Sequence, residues 1–185
     1  QLVAAAFRVV AREGVAAAST RRIANEAKVP PAVVHYCFHS VEELIDALMA
    51  AVFAAAAEAA AVALRASGAV EHSLRTALRR LWASYRDDPA RHKAVVDLIA
   101  HALRRPAATV IVREHQFKLG SLAERFLKDV AARNKTAWRS PTEVLSRVLI
   151  STVDGVLQDW LIDRDDVKTE AAIEWLTVTL AADAN

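Results

Sequence analysis

The chain has one cysteine, Cys37, and one methionine in 185 residues. A lone cysteine excludes an intramolecular disulfide framework and a cysteine-based zinc site, and it suits a reducing, cytoplasmic compartment. Turn formers are equally scarce. Four glycines and five prolines leave too few tight turns for a sandwich or a doubly wound sheet. No sign of charge predominates, since 24 Lys and Arg face 22 Asp and Glu, a net +2. Long apolar runs are missing too: the longest, Ala47 to Ala57, is mostly alanine and stops at Glu58, short of the ~20 residues that cross a bilayer. Residues 1–18 contain Arg8, Arg12 and Glu13, so neither a signal segment nor a membrane role is expected. The first residue is Gln1 rather than methionine, and a few native residues are expected ahead of it. What is abundant is apolar and helix-forming: 54% hydrophobic residues, with alanine throughout, and 25% charged ones. That composition fits an all-α protein of one large or two small domains.

Apolar periodicity predicts about nine helices. The first spans residues 2–13, with Val3, Ala6, Phe7 and Val10 on one face and Gly14 beyond its end. Ser19 is expected to cap a second helix over 20–27, and Pro31 to open a third, 31–38, at its first position. Ser40 and Glu43 form a capping box for a long fourth helix reaching about residue 66. Three more are expected near 70–86, 91–104 and 108–133. Ser140, Pro141 and Glu143 combine an N-cap, a first-turn proline and a capping-box glutamate, the strongest helix start in the chain. That eighth helix runs to about 162, and a ninth covers 169–182. The break at residues 67–70 looks like the best boundary between domains.

Helices two and three are short, close together and joined by a tight turn, which makes a helix-turn-helix candidate. The third is small enough to enter a major groove. The N-termini of the second and fourth would direct backbone N–H groups and positive dipole ends at phosphates, with Arg21, Arg22 and Lys28 nearby. Residues 1–41 hold five basic residues against two acidic, whereas residues 140–185 hold three against nine. The small net charge therefore conceals a polarised chain.

The stretch from Phe7 to Leu48 carries a more specific pattern. It reads Phe7, Gly14, then Ser19-Thr20-Arg21-Arg22-Ile23-Ala24-Asn25-Glu26-Ala27, Val29, His35-Tyr36-Cys37-Phe38-His39-Ser40 and Glu42-Glu43-Leu44. In order, spacing and capping it resembles the TetR family of transcriptional repressors. The resemblance implies an all-α homodimer. Residues 1–45 would form a three-helix DNA-binding domain on a roughly palindromic operator, and residues 46–185 a larger helical domain for a small effector and for dimerisation. Four positions depart from the family pattern. Lys28 stands where glycine is common in the turn, and Pro30 where a hydroxyl usually caps the recognition helix. His35, followed by Tyr36, replaces the usual tyrosine, and Val41 replaces a lysine that contacts phosphate.

The candidate DNA-binding residues are Ser19, Thr20, Arg21, Arg22, Lys28, Pro31, Ala32, Val33, His35, Tyr36 and His39. Val34, Cys37 and Phe38 are expected in the core. Candidates for lining an effector cavity are Trp82, Tyr85, His101, His115, Phe117 and Asp154, aromatic or titratable groups on helical faces. His92, Asp97 and His101 invite a metal reading, but only Asp97 and His101 share a face, so no metal or other cofactor is expected. Helices eight and nine carry more apolar surface than one core face needs. Their Leu145, Val148, Leu149, Thr152, Val153, Val156, Trp160, Ile173, Leu176 and Leu180 are the candidate dimer interface, with Trp175 nearby. No nucleophile elbow, phosphate loop or zinc-protease motif is present. The expected protein is a ligand-responsive regulator, a repressor in which effector binding shifts helix four and the spacing of two recognition helices. The alternative is a helical effector-binding or interaction protein whose DNA recognition has weakened.

Overall fold

A computed structural model describes residues 1–185. Its helices are α1 (Leu2–Glu13), α2 (Thr20–Ala27), α3 (Pro31–Cys37), α4 (Val41–Ala63), α5 (Val70–Asp87), α6 (Pro89–Ala102), α7 (Pro106–Asn134), α8 (Thr142–Asp163) and α9 (Asp166–Ala181), with one 3-10 turn at Val15–Ala17. The all-α expectation holds, and most helix ends follow their punctuation. Ser19 Oγ accepts from the Arg22 amide at 3.3 Å. Ser40 Oγ accepts from the Glu43 amide at 3.0 Å. Asp88 caps α6 through the Arg91 amide at 3.0 Å, which starts that helix at Pro89, two residues earlier than expected.

Ser140 behaves differently. The residue at the N-cap of α8 is Pro141, and both polar groups of Ser140 go to Asp183: its hydroxyl donates at 2.9 Å and its amide at 3.0 Å. The chain terminus outcompetes the capping box, because the Asp183 carboxylate offers a charged acceptor to both donors. The neighbouring segment is tied to the same end. Arg139 donates to the Asp183 carbonyl, Asn185 to the Ala137 carbonyl, and Trp138 forms an isolated antiparallel bridge with Ala184.

The packing divides into two compact units that do not follow chain order. The first comprises Gln1–Ala56 and Asp88–His115, the second Ala57–Asp87 and Gln116–Asn185. In the first, Ala5, Ala6 and Val10 of α1, Ile23 and Ala24 of α2 and Leu44, Leu48 and Met49 of α4 share a core with Ala94, Leu98 and Ala102 of α6. Small residues let these helices approach closely. In the second, Leu74 and Trp82 of α5, Leu127 and Val130 of α7, Leu149 and Leu157 of α8 and Ile173 and Leu176 of α9 form a separate core. The break at residues 67–70 lies within the second unit and is no boundary. Nearby packing explains why: Ser73 Oγ and the Asn134 amide both donate to the Gly68 carbonyl. α4 has a mean hydropathy of 1.8 over a membrane-spanning length, yet Leu44, Ile45, Leu48, Met49, Val52 and Phe53 fill the core of the first unit.

Candidate nucleic-acid interface

The turn between α2 and α3 is built on an unusual residue. The Lys28 amide donates to the Asn25 carbonyl at 3.1 Å and the Val29 amide to the Ala24 carbonyl at 3.0 Å, the bonding of a Schellman motif. The residue at its centre must be left-handed, and Lys28 is, with φ 56° and ψ 45°. A side chain there costs about 1 kcal/mol relative to glycine. Pro30 then holds an extended backbone and Pro31 starts α3, with no side-chain cap.

α3 is held to the first unit by little: only Val34 within it is buried, while Val29 and Phe38 pack partly at its two ends. With 100° between successive residues, Ala32 and Tyr36 fall on the face opposite Val34. Tyr36 is 92% exposed. His35 lies between these faces and is exposed. Val33 shares a surface groove with Leu2, Val3 and Cys37. Cys37 is exposed rather than buried: it is the last residue of α3 and lines the same open groove as Val33. Ser19, Arg21, Arg22, Lys28, Pro31, Ala32 and His39 are all exposed, and Thr20 is half-buried.

Charge pairing sorts the cations further. Arg8 meets Glu26 at 2.6 Å, Arg12 meets Glu26 at 3.1 Å and Glu13 at 2.8 Å, and Arg22 forms an ion pair with Glu13. These arginines hold the Glu13 and Glu26 carboxyls below the usual carboxylate range, through side-chain hydrogen bonds first and charge second. Arg22 is thus engaged within the protein, whereas Arg21 and Lys28 stand outside this network. The start of α4 is also occupied. Glu43 accepts from the His39 amide at 2.7 Å and lies 3.0 Å from His39 Nδ1, so the expected phosphate opening there is partly closed by its own side chains.

Asp97 is a residue whose role the sequence did not disclose. Its Oδ2 accepts from the Val15 amide at 2.6 Å, fixing the 3-10 turn that follows α1. Gly14, at φ 86°, would bring an added Cβ within 3.3 Å of that same oxygen. Asp97 reaches across 82 residues of sequence, and nothing local in α6 marks that partner.

The effector candidates separate. Tyr85 and Asp154 line one cavity of about 50 Å³ in the second unit, otherwise apolar and bounded by residues such as Leu81, Leu149, Ile150 and Val153. Burial raises Asp154 to about 6, and burial followed by the Asp154 charge raises the Tyr85 phenol. Trp82 is outside this cavity. Its ring packs edge-to-face on Trp160 at 4.9 Å. His101 lies in the first unit beside Arg105, which pairs with Asp46 at 3.0 Å. His115 is also in that unit, buried and stacked on Phe53 at 4.4 Å. Phe117 is 77% exposed. Helical spacing alone could not separate these faces, since α7 crosses from one unit to the other between His115 and Phe117.

On α8 and α9, Leu145, Leu149, Val153, Trp160, Ile173, Leu176 and Leu180 fill the core of their own chain. Val148 is exposed, and Thr152 and Val156 are half-buried. Further apolar groups lie exposed on the same helices: Val144, Ile162, Val167, Val178 and Trp175, the last 66% exposed.

Residues 2–48 match the family model described as bacterial regulatory proteins, tetR family. Over 174 residues the chain is 28% identical to the HTH-type nicotine-responsive transcriptional repressor HdnoR of Paenarthrobacter nicotinovorans, covering 90% of this chain and 84% of that protein. A transcriptional regulator from Rhodococcus sp. Rha1 superposes with a TM-score of 0.83 at 19% identity, over 99% of this chain and 95% of the other. The multidrug binding protein EbrR, solved with imidazole, gives a TM-score of 0.70 at 29% identity, over 97% and 87%. The turn held by Lys28, the exposed face of α3 and these likenesses lead to one conclusion: residues 2–48 are an N-terminal DNA-binding domain of the tetR family of bacterial regulatory proteins, and the chain over most of its length is similar to transcriptional regulators.

Proposed function

We propose that the protein is a repressor that binds operator DNA as a homodimer and releases it when a small molecule enters the second unit. The observation that carries the DNA reading is the outward face of α3. Ala32 and Tyr36 are exposed opposite the single buried anchor Val34, an arrangement that leaves side chains available to base edges. His35 and His39 flank them. Ser19, Thr20, Arg21 and Lys28 border the same turn and suit phosphate contacts that set register. Val33, Pro31 and Arg22 stand at the edge of this surface.

Homodimerisation is supported by apolar groups left uncovered on α8 and α9, notably Val148, Trp175 and Val178, and it would place two recognition helices on two half-sites. Effector control is supported by the cavity containing Tyr85 and Asp154. At about 50 Å³ it falls below the roughly 300–1,000 Å³ of sites for drug-sized ligands, so a ligand must push its walls apart. Ala60 of α4 and Leu119 of α7 belong to those walls. α4 begins at Val41, three residues after Phe38 at the end of α3, so its displacement offers a route to the recognition helix. A tenfold release requires about 1.4 kcal/mol of differential binding.

The test is selection of bound duplexes from a random pool, followed by anisotropy titration of the wild type and Tyr36→Ala. The expected result is enrichment of a palindrome, with Tyr36→Ala weakening it by about 1–3 kcal/mol and leaving helicity and melting unchanged. A folded protein that enriches no sequence would point instead to an effector-binding protein with weakened DNA recognition, a reading favoured by the Glu13–Arg22 pair and by Val41.

A further inference from the structure

A cavity of the second unit has one carboxylate in its lining and no group of opposite sign there. Asp154 of α8 lies among the side chains of Leu81, Leu149, Ile150 and Val153, and Tyr85 of α5 supplies the other polar group. The parts of α4 and α7 that complete the lining, Ala60, Leu119 and Ala123, carry no titratable group, and the lining contains no lysine, arginine or histidine. An ionised carboxylate in such surroundings is poorly compensated.

We infer that this cavity selects small organic amines that are protonated at neutral pH and carry a compact apolar body. The inference rests on the reading of the second unit as the effector-binding part. Asp154 supplies the counter-charge, and a charge-assisted hydrogen bond from the ammonium satisfies the carboxylate. Tyr85 adds an aromatic side chain to the same lining. Its hydroxyl stays protonated, because burial and the Asp154 charge oppose ionisation. The apolar walls take the ring or alkyl portion. A carboxylate or phosphate ligand is disfavoured, since it would set a second negative charge beside Asp154.

Binding of the cation should favour the ionised carboxylate over the protonated acid. With Asp154 raised to about 6 by burial, amine affinity is greater above that pH than below it, and proton release accompanies binding around it. Tyr85 is the other titratable group in the lining and stays neutral across this range.

The experiment is calorimetry on the full chain with N,N-dimethylbenzylamine and cyclohexylamine, against the neutral benzyl methyl ether and cyclohexanol, at about pH 8 and about pH 5. The amines are expected to bind at least tenfold more tightly than their neutral counterparts at the higher pH. That preference shrinks at the lower pH, is lost in Asp154→Asn and is kept in Asp154→Glu. Equal binding of neutral probes, an amine preference that survives Asp154→Asn, or no binding by any probe overturns the inference. Operator release is followed in parallel by anisotropy. A protein that holds its selected operator and releases it only to neutral probes overturns the amine preference and leaves the repressor reading intact. A protein that selects no DNA but binds amines through Asp154 overturns the repressor reading alone.

Discussion

Carboxylates in the two units are treated in opposite ways. In the first, Glu13 and Glu26 sit at the surface among Arg8, Arg12 and Arg22, and their acidity increases. In the second, Asp154 is likewise half-buried, but it faces an apolar lining with no cation in it, and burial raises it to about 6. The first arrangement links α1 to α2 and occupies a cation beside the proposed DNA face. Being exposed, it contributes more to orientation than to stability. The second costs the fold stability near neutral pH and, in the proposed reading, supplies the electrostatic attraction for a cationic ligand. The difference shows that a charge's partner, rather than its residue type, decides whether it organises structure or awaits an occupant.

The sharpest way to break this contrast is Asp154→Asn. A folded-state value of about 6, against an ordinary 3.8, means the folded protein binds more protons than the unfolded one between those values. The stability attached to this group is complete below about pH 4 and is lost as pH rises through about 6. Asp154→Asn is therefore expected to be more stable than wild type at about pH 8, by roughly 2–3 kcal/mol, or roughly 5–10 °C in melting temperature. The gain should vanish below about pH 4. Thermal melts at both pH values check it, and equal melting at the higher one would mean that Asp154 is already compensated.

Lys28→Gly tests the first unit with a smaller effect. Relieving the left-handed side chain should stabilise the fold by about 1 kcal/mol, partly offset by the greater freedom of glycine in the unfolded chain. The same change removes a cation and should lower the salt slope of DNA binding by about one unit. Opposite movement of stability and DNA affinity is the signature, read by denaturant melts and by anisotropy across a salt series.

Glu13→Gln should have the slightest effect on the fold. Its interest lies in freeing Arg22 and reducing the hold on Arg12. Melting should barely move, while binding to non-specific duplex tightens and its salt slope steepens by about one unit as Arg22 reaches a phosphate. An unchanged slope would show that Arg22 faces away from DNA even when free.

Much of the fold was legible because its signals are local. Ser19, Ser40 and Pro31 depend on groups within a few residues, and those boundaries were readable, whereas α6 and α7 begin two residues earlier than expected, at Pro89 and Pro106. Ser140 was not, since its partner Asp183 lies 43 residues away. The proposed DNA face follows in outline from the pattern between Phe7 and Leu48. Its internal order was not: Val33 joins a groove with Leu2 and Val3, Arg22 is held by Glu13, and Cys37 lies exposed. The cavity was half legible. Tyr85 and Asp154 meet there, while Trp82, His101, His115 and Phe117 occupy other places that helical spacing could not tell apart.

Residue pattern alone was enough for the all-α class, the helix-turn-helix and the family resemblance of residues 2–48, because helix propensity, capping and turn chemistry act over a few residues. Tertiary structure alone decided that α6 joins the core of α1, α2 and α4, that Asp97 secures the turn after Gly14, and that Asp154 is left with apolar neighbours. Those outcomes depend on which faces are buried together. Burial is a property of the packed chain, and it sets both the cost of a charge and the partners within its reach.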